Sequence, residues 1–157
     1  MRDERIEAIL GFDRVRKIIS DRCSTEYATT RTSEEEFSTN AKEIRRRLQL
    51  TDEMRLIVMF EESFPSNGYI DCVGFLEMLT NEGANIDLVS LGKLRTMLET
   101  LRKISIFFSN IKDGVYPYLK KMVSGIVLFP DVQHRIDTIL DKFGNVKDTA
   151  SDELYDI

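Results

Sequence analysis

Tryptophan is absent from this 157-residue chain, and histidine, cysteine and proline number only one, two and three. Each shortage closes off a class of function. Zinc and related sites need clustered cysteine and histidine. Here His134 stands alone beside Arg135, and Cys23 and Cys72 lie far apart with no CxxC spacing. His134 reads as a solvated histidine on a helix surface. Two lone cysteines and no N-glycosylation triplet indicate reduced thiols in a cytoplasmic protein, not a secreted disulfide framework. No apolar run approaches the ~18 residues of a membrane span. No apolar segment follows the charged opening Met1-Arg2-Asp3-Glu4-Arg5, so neither a membrane partner nor a secretory signal is expected.

Chemistry-bearing motifs are missing as well. There is no glycine-rich phosphate loop with its lysine, no GxGxxG turn and no nucleophile elbow. A calcium loop starting at Asp141 would place Phe143 and Lys147 where oxygen ligands belong, so that reading fails. No catalytic, cofactor-binding or metal-ligating residue is expected in this chain. A basic excess is also lacking: 22 Lys and Arg against 27 Asp and Glu give a net charge of −5. That balance argues against a dedicated, freestanding nucleic-acid binder, although a basic face can sit within an acidic total.

What is present reads as one all-α domain, an antiparallel helical bundle. At 42% hydrophobic and 31% charged, a chain of this size can bury a core without disulfides or metals. Phe12, Val15, Ile18 and Ile19 mark an inward stripe on a first helix running to about residue 23. The polar passage 24–40 reads as a short helix and a loop. A long helix follows over about 41–63, with Ile44, Leu48, Met54, Ile57 and Val58 inward. Thr39 or Asn40 caps it, and Glu43 is placed to close a capping box. A shorter helix spans about 73–82 and stops at Gly83. Leu91, Leu94, Leu98, Leu101, Ser105 and Phe108 form a heptad-like seam over about 87–110. Pro117 and Pro130 each open a further helix. Leu119, Met122, Val123 and Ile126 line the first; Val132, Ile136, Ile139, Leu140 and Phe143 line the second, with Gly144 as its C′ residue.

Basic clusters are the remaining candidates for function. Arg45, Arg46 and Arg47, with Lys42, make the densest patch; Arg14, Arg16 and Lys17 make another, and Lys120 with Lys121 a third. Such residues serve as phosphate contacts, with steep salt dependence. The plainer reading is an exposed face balanced by Glu34, Glu35, Glu36 and Glu43. The last twenty residues describe a helix stopping at Gly144, a polar connector, and a second helix capped over 149–152. One turn cannot sustain itself, so the expectation is an N-terminal piece of a longer protein.

Specific residues carry a resemblance. Ile9-Leu10-Gly11-Phe12-Asp13, with Ile18-Ile19, Cys23-Ser24 and the Phe64-Pro65 turn, resembles the N-terminus of the MutS family. More closely it is similar to the second bacterial subfamily, whose members carry a C-terminal Smr nuclease domain. Tyr116-Pro117-Tyr118-Leu119 and Phe129-Pro130 fit the same pattern. The strongest match runs through Ile136-Asp137, Leu140-Asp141, Gly144, Val146, Asp148, Ala150-Ser151 and Leu154. The stretch 24–40 matches least.

The resemblance implies that 1–157 is the helical core, or lever, region of a DNA-binding ATPase. A clamp of long helices, an ATPase that dimerises around ATP and magnesium, and the Smr endonuclease would lie downstream. It implies a homodimer on branched or recombining DNA that suppresses homologous recombination and, in some lineages, acts on collided ribosomes. None of the catalytic residues fall in this chain, so its implied role is mechanical: coupling the ATPase dimer to the DNA clamp. The alternative is a stand-alone helical adaptor for a protein partner. For the isolated chain, two expectations follow: a dimer or swapped oligomer through an uncovered apolar face, and weak DNA binding that fades as salt rises.

Overall fold

The computed structural model describes residues 4–150. Among them are eight α-helices: α1 Glu4–Leu10, α2 Phe12–Ser20, α3 Glu26–Glu34, α4 Ala41–Phe60, α5 Val73–Met78, α6 Leu88–Asn110, α7 Pro117–Val123 and α8 Pro130–Ile139. The described residues hold no strand, only one antiparallel bridge between Leu140 and Val146. The all-α expectation holds. The chain divides into two compact units, Met1–Asp52 and Glu53–Ile157.

In the first unit, Gly11 separates α1 from α2 in a left-handed conformation (φ 69). The sequence reading had missed α1. The polar passage resolves into α3, capped by Thr25 Oγ1 accepting from the Ala28 N–H at 3.1 Å, and a link up to Asn40. The inward face of α2 is a correction. Its buried residue is Arg16, while Val15, Ile18 and Ile19 remain exposed. Arg16 Nη2 donates to Glu7 Oε1 at 2.7 Å and to the Glu35 carbonyl at 2.9 Å, and Nη1 donates to the Thr32 carbonyl. A buried guanidinium needs partners for its donors. The helix therefore turns its charge inward, to the pair that supplies them. Phe12 packs on Phe37 and lies under the Arg16 guanidinium, 5.2 Å from ring centroid to charge.

In the second unit, Ile57 is fully buried, and Glu53 shares its face of α4 one turn earlier. Of the expected α4 stripe, Ile44, Leu48 and Val58 are exposed, a second correction. Ile57 alone of that stripe is fully buried, and Glu53 joins it on the inward face because it finds donors at the start of α7. Phe64, Phe107 and Phe108 pack edge to face at 5.1–6.5 Å, the arrangement that ring quadrupoles favour. Gly68 (φ 82) lies against α6, where the Thr100 hydroxyl donates to its carbonyl at 3.0 Å. A Cβ on Gly68 would collide with that hydroxyl. Asp87 caps α6 by accepting from the Ser90 N–H at 3.0 Å. The leucine seam is half-buried and leads to buried Phe107 and Phe108.

The end of α8 differs from expectation in one respect. Ile136 and Leu140 are buried, but Val132 and Phe143 are exposed, and the helix ends before Gly144. Gly144 (φ 87) instead sits in a tight turn. There Asp141 Oδ1 accepts from the N–H groups of Phe143 and Asn145, both at 2.8 Å. These bonds, Asn145's first, hold the Asp141 carboxyl below its ordinary range. The chain then turns back, so that the Lys147 N–H reaches the Ile139 carbonyl at 2.8 Å. Arg95 of α6 fastens this turn, donating to the Asp141 carbonyl at 2.7 Å and pairing with Asp137. The second capping box (149–152) and the helix it would start extend outside the described residues.

Candidate nucleic-acid interface

The arginine cluster sits at the start of α4. Asn40 Oδ1 caps the helix, accepting from Lys42 N–H at 3.1 Å and Glu43 N–H at 3.2 Å. Glu43 does not complete a capping box, because Ser38 Oγ takes the Asn40 N–H at 3.2 Å. Its carboxylate turns toward the next turn of helix. Residues three and four positions on share its side of the helix, and those positions are Arg46 and Arg47. Arg46 binds Glu43 with two N–H groups, at 2.9 and 2.8 Å, and Arg47 Nε adds a third bond at 2.9 Å. Arg47 also pairs with Glu35 from the link before α4. The hydrogen bonds from Arg46, then Arg47, push the Glu43 carboxyl down to about 2.

The three consecutive arginines are therefore not equivalent. Arg46 and Arg47 are engaged by carboxylates. Arg45 lies about 200° around the helix from Glu43, and it is exposed together with Lys42, three residues earlier. That pair forms the open basic face. An open hollow of about 540 Å³ beside Arg47 is also lined by Arg31 and by Glu34, Glu35 and Glu36. Three carboxylates in its wall make it unsuited to a phosphate.

The other basic clusters disperse. Arg16 is withdrawn into its buried pair, and Lys17 pairs with Asp21 at 3.1 Å. Lys120, in the second unit, donates to the Ile111 carbonyl at 2.8 Å and to Asp113 at 2.7 Å, closing the end of α6. His134 is exposed. Among the described residues no group of three or more His, Cys, Asp or Glu side chains is placed to hold a metal, and no helix is long and apolar enough to cross a membrane. Cys23 and Cys72 are free thiols. Burial, first, and the nearby Asp71 push the Cys72 thiol up, which makes it a poor nucleophile.

Sequence reasoning missed the two buried carboxylates. Glu53 accepts from the N–H groups of Tyr118 at 3.1 Å and Leu119 at 2.8 Å, the first free donors of α7. The residue before that helix, Tyr116, offers no side-chain cap. Its hydroxyl donates instead to Glu61 at 3.0 Å. No local signal marks Glu53, because its partners are backbone groups 65 and 66 residues away. Glu7 did leave a trace: residues 4–10 and 13–19 follow the same order of acid, arginine, aliphatic, charge, any residue, aliphatic, aliphatic.

No family model matches the chain. Individual curated proteins do. The chain is 24% identical over 157 residues to the endonuclease MutS2 of Listeria innocua and to that of Listeria monocytogenes. It is 22% identical over 156 residues to the endonuclease MutS2 of Alkaliphilus oremlandii. In each case 99% of this chain is covered, but it spans only 20% of the relative's length.

Proposed function

We propose that this chain is a non-catalytic helical part of a MutS-like, DNA-binding ATPase. Its task is to carry motion between a nucleotide-driven dimer and a clamp on nucleic acid. The observation that supports this most is the pattern of similarity: it runs through 99% of the chain yet takes in only 20% of relatives named as endonucleases. On this reading the ATP and magnesium site and the nuclease belong to other parts of a longer polypeptide, which acts in the cytoplasm as a homodimer. Its targets would be branched or recombining DNA, with suppression of recombination as the outcome, and the ribosome in some settings. Within this chain, Arg45 and Lys42 are the first phosphate contacts. Arg46 and Arg47 join only when phosphate displaces Glu43 and Glu35.

Fluorescence anisotropy with a labelled four-way junction and a matched duplex tests the nucleic-acid role. The expected result is weak binding at low salt, with a log–log salt slope of about −1 per phosphate contact. Replacing Arg45, Arg46 and Arg47 by glutamate should abolish it. Unchanged binding removes these residues from consideration. The exposed aliphatic side chains of α1 and α2 favour the second reading, a helical adaptor for a protein partner. The genomic reading frame separates the two: a phosphate loop within the next few hundred codons supports the lever, and an immediate stop codon supports the adaptor.

A further inference from the structure

Two glycines of the second unit follow a residue whose side chain can react with the next amide: Asn67-Gly68 and Asp113-Gly114. In both, the side-chain carbonyl carbon and the following backbone nitrogen are spaced to close a five-membered ring, and glycine leaves that nitrogen unhindered. The structure separates the two. Asp113 is a carboxylate held by Lys120 Nζ at 2.7 Å, and that bond keeps its carboxyl below the ordinary range. An anion is a poor target for a nitrogen nucleophile. Asn67 is a neutral amide and exposed. Among the described residues no group hydrogen-bonds its side chain or the Gly68 N–H. Other asparagines are restrained. Asn40 caps α4, Asn81 and Asn85 donate to the Met78 and Gly83 carbonyls, and Asn145 donates to Asp141. Asn110 precedes Ile111, whose branched side chain crowds the nitrogen.

The turn that carries Asn67 is fastened on either side of it. The Tyr69 hydroxyl donates to the Pro65 carbonyl at 2.8 Å, and the Thr100 hydroxyl of α6 donates to the Gly68 carbonyl at 3.0 Å. There is no slack at Gly68, since a Cβ there would collide with Thr100 Oγ1. Anything that lengthens the backbone at position 67 therefore strains the bond to Thr100.

We propose that Asn67 is a site of spontaneous deamidation whose isoaspartate product releases the 65–69 turn from α6. Hydroxide takes the Gly68 N–H proton, and the nitrogen bonds to the Asn67 side-chain carbonyl carbon. The bond from that carbon to the amide nitrogen breaks, and the nitrogen leaves as ammonia with a proton from water. Water then opens the cyclic imide at either carbonyl, leaving aspartate or isoaspartate, with nothing oxidised or reduced. Isoaspartate routes the main chain through the side-chain carbon. That adds one backbone atom, roughly 1.5 Å of chain, enough to break a hydrogen bond.

Incubating the full chain for days in mildly alkaline buffer, followed by digestion and mass spectrometry, tests the reaction. Asn67 should convert at least about tenfold faster than any of the other five asparagines, and than Asp113 isomerises. Asn67→Gln should remove the product. Conversion at Asn67 no faster than at those positions overturns the proposal. Urea denaturation of the chromatographically separated isoaspartate form tests the release. Its unfolding constant should exceed that of Asn67→Asp about tenfold, the equivalent of one lost hydrogen bond. Asn67→Asp is the control because it gains the same charge without the extra backbone atom. An isoaspartate form as stable as Asn67→Asp overturns the release.

Discussion

The Glu53 carboxylate offers the sharpest test of how the second unit holds together. A helix leaves its first N–H groups without partners inside the helix, and α7 begins at a proline that follows a tyrosine in the left-handed conformation (φ 51). Glu53 reaches from α4 to take two of those donors, and its negative charge also meets the positive end of the helix dipole. Glu53→Ala removes both bonds at once. The Tyr118 N–H regains water, because that residue is exposed, whereas Leu119 is buried. Its orphaned donor costs about 1–3 kcal/mol, and loss of the charge at the helix end adds about 1 kcal/mol. With the bond to Tyr118 weakened as well, the total is about 3 kcal/mol, a fall in Tm of roughly 6–12 °C at this chain length. Glu53→Gln keeps one acceptor oxygen and should lose about half as much. Urea denaturation followed by circular dichroism gives the free energy, and amide hydrogen exchange gives its location. In Glu53→Ala, protection at Leu119 should fall about 100-fold, the equivalent of that energy. Stability within about 0.5 kcal/mol of the parent, with Leu119 exchange unchanged, would refute the trans-capping argument.

Other perturbations address the remaining contacts. Arg16→Ala should destabilise the first unit by about 1–3 kcal/mol, because the buried Glu7 carboxylate loses its bond to the guanidinium. The double replacement Glu7→Leu with Arg16→Met should recover at least half of that loss in the same denaturation assay. Gly68→Ala combines a left-handed backbone with a collision at Thr100 and should cost about 2–3 kcal/mol. Gly114→Ala, at φ 85 in open space, should cost only about 1 kcal/mol, so a calorimetric ranking of the two checks the contact. The Glu43 carboxyl is depressed from 4.5 to about 2. Its ion pairs therefore contribute fully above pH 4.5 and are lost as pH falls through about 2. A carbon-13 titration should find the Glu43 midpoint near 2, and replacing Arg46 and Arg47 by alanine should return it toward 4.5.

Several elements were legible in the sequence because their signals are local. Asp87 stands before a seam of leucines at steps of three and four, and α6 formed there, with that aspartate as its cap. Pro117 and Pro130 each open a helix, as a residue with fixed φ and no donor should. The absence of clustered His and Cys was equally plain. The arginine cluster was visible as well, but not its inequality: Glu43 serves as the partner of Arg46 and Arg47, not as a cap.

Composition, the starts of α4, α6, α7 and α8, and the family resemblance were thus written in the chain itself. Which face of each helix turns inward was not. Periodicity reports where apolar side chains lie around a helix, and on α2 and α4 that pointed to Val15, Ile18, Leu48 and Val58. The structure instead buries Arg16 and Glu53 and leaves those four exposed. A charged group can enter the interior only where a distant segment supplies its counterpart. Those counterparts are Glu7 and the Thr32 carbonyl for Arg16, and the start of α7 for Glu53. Tertiary structure decided the inward faces because it alone brings such partners within hydrogen-bonding distance.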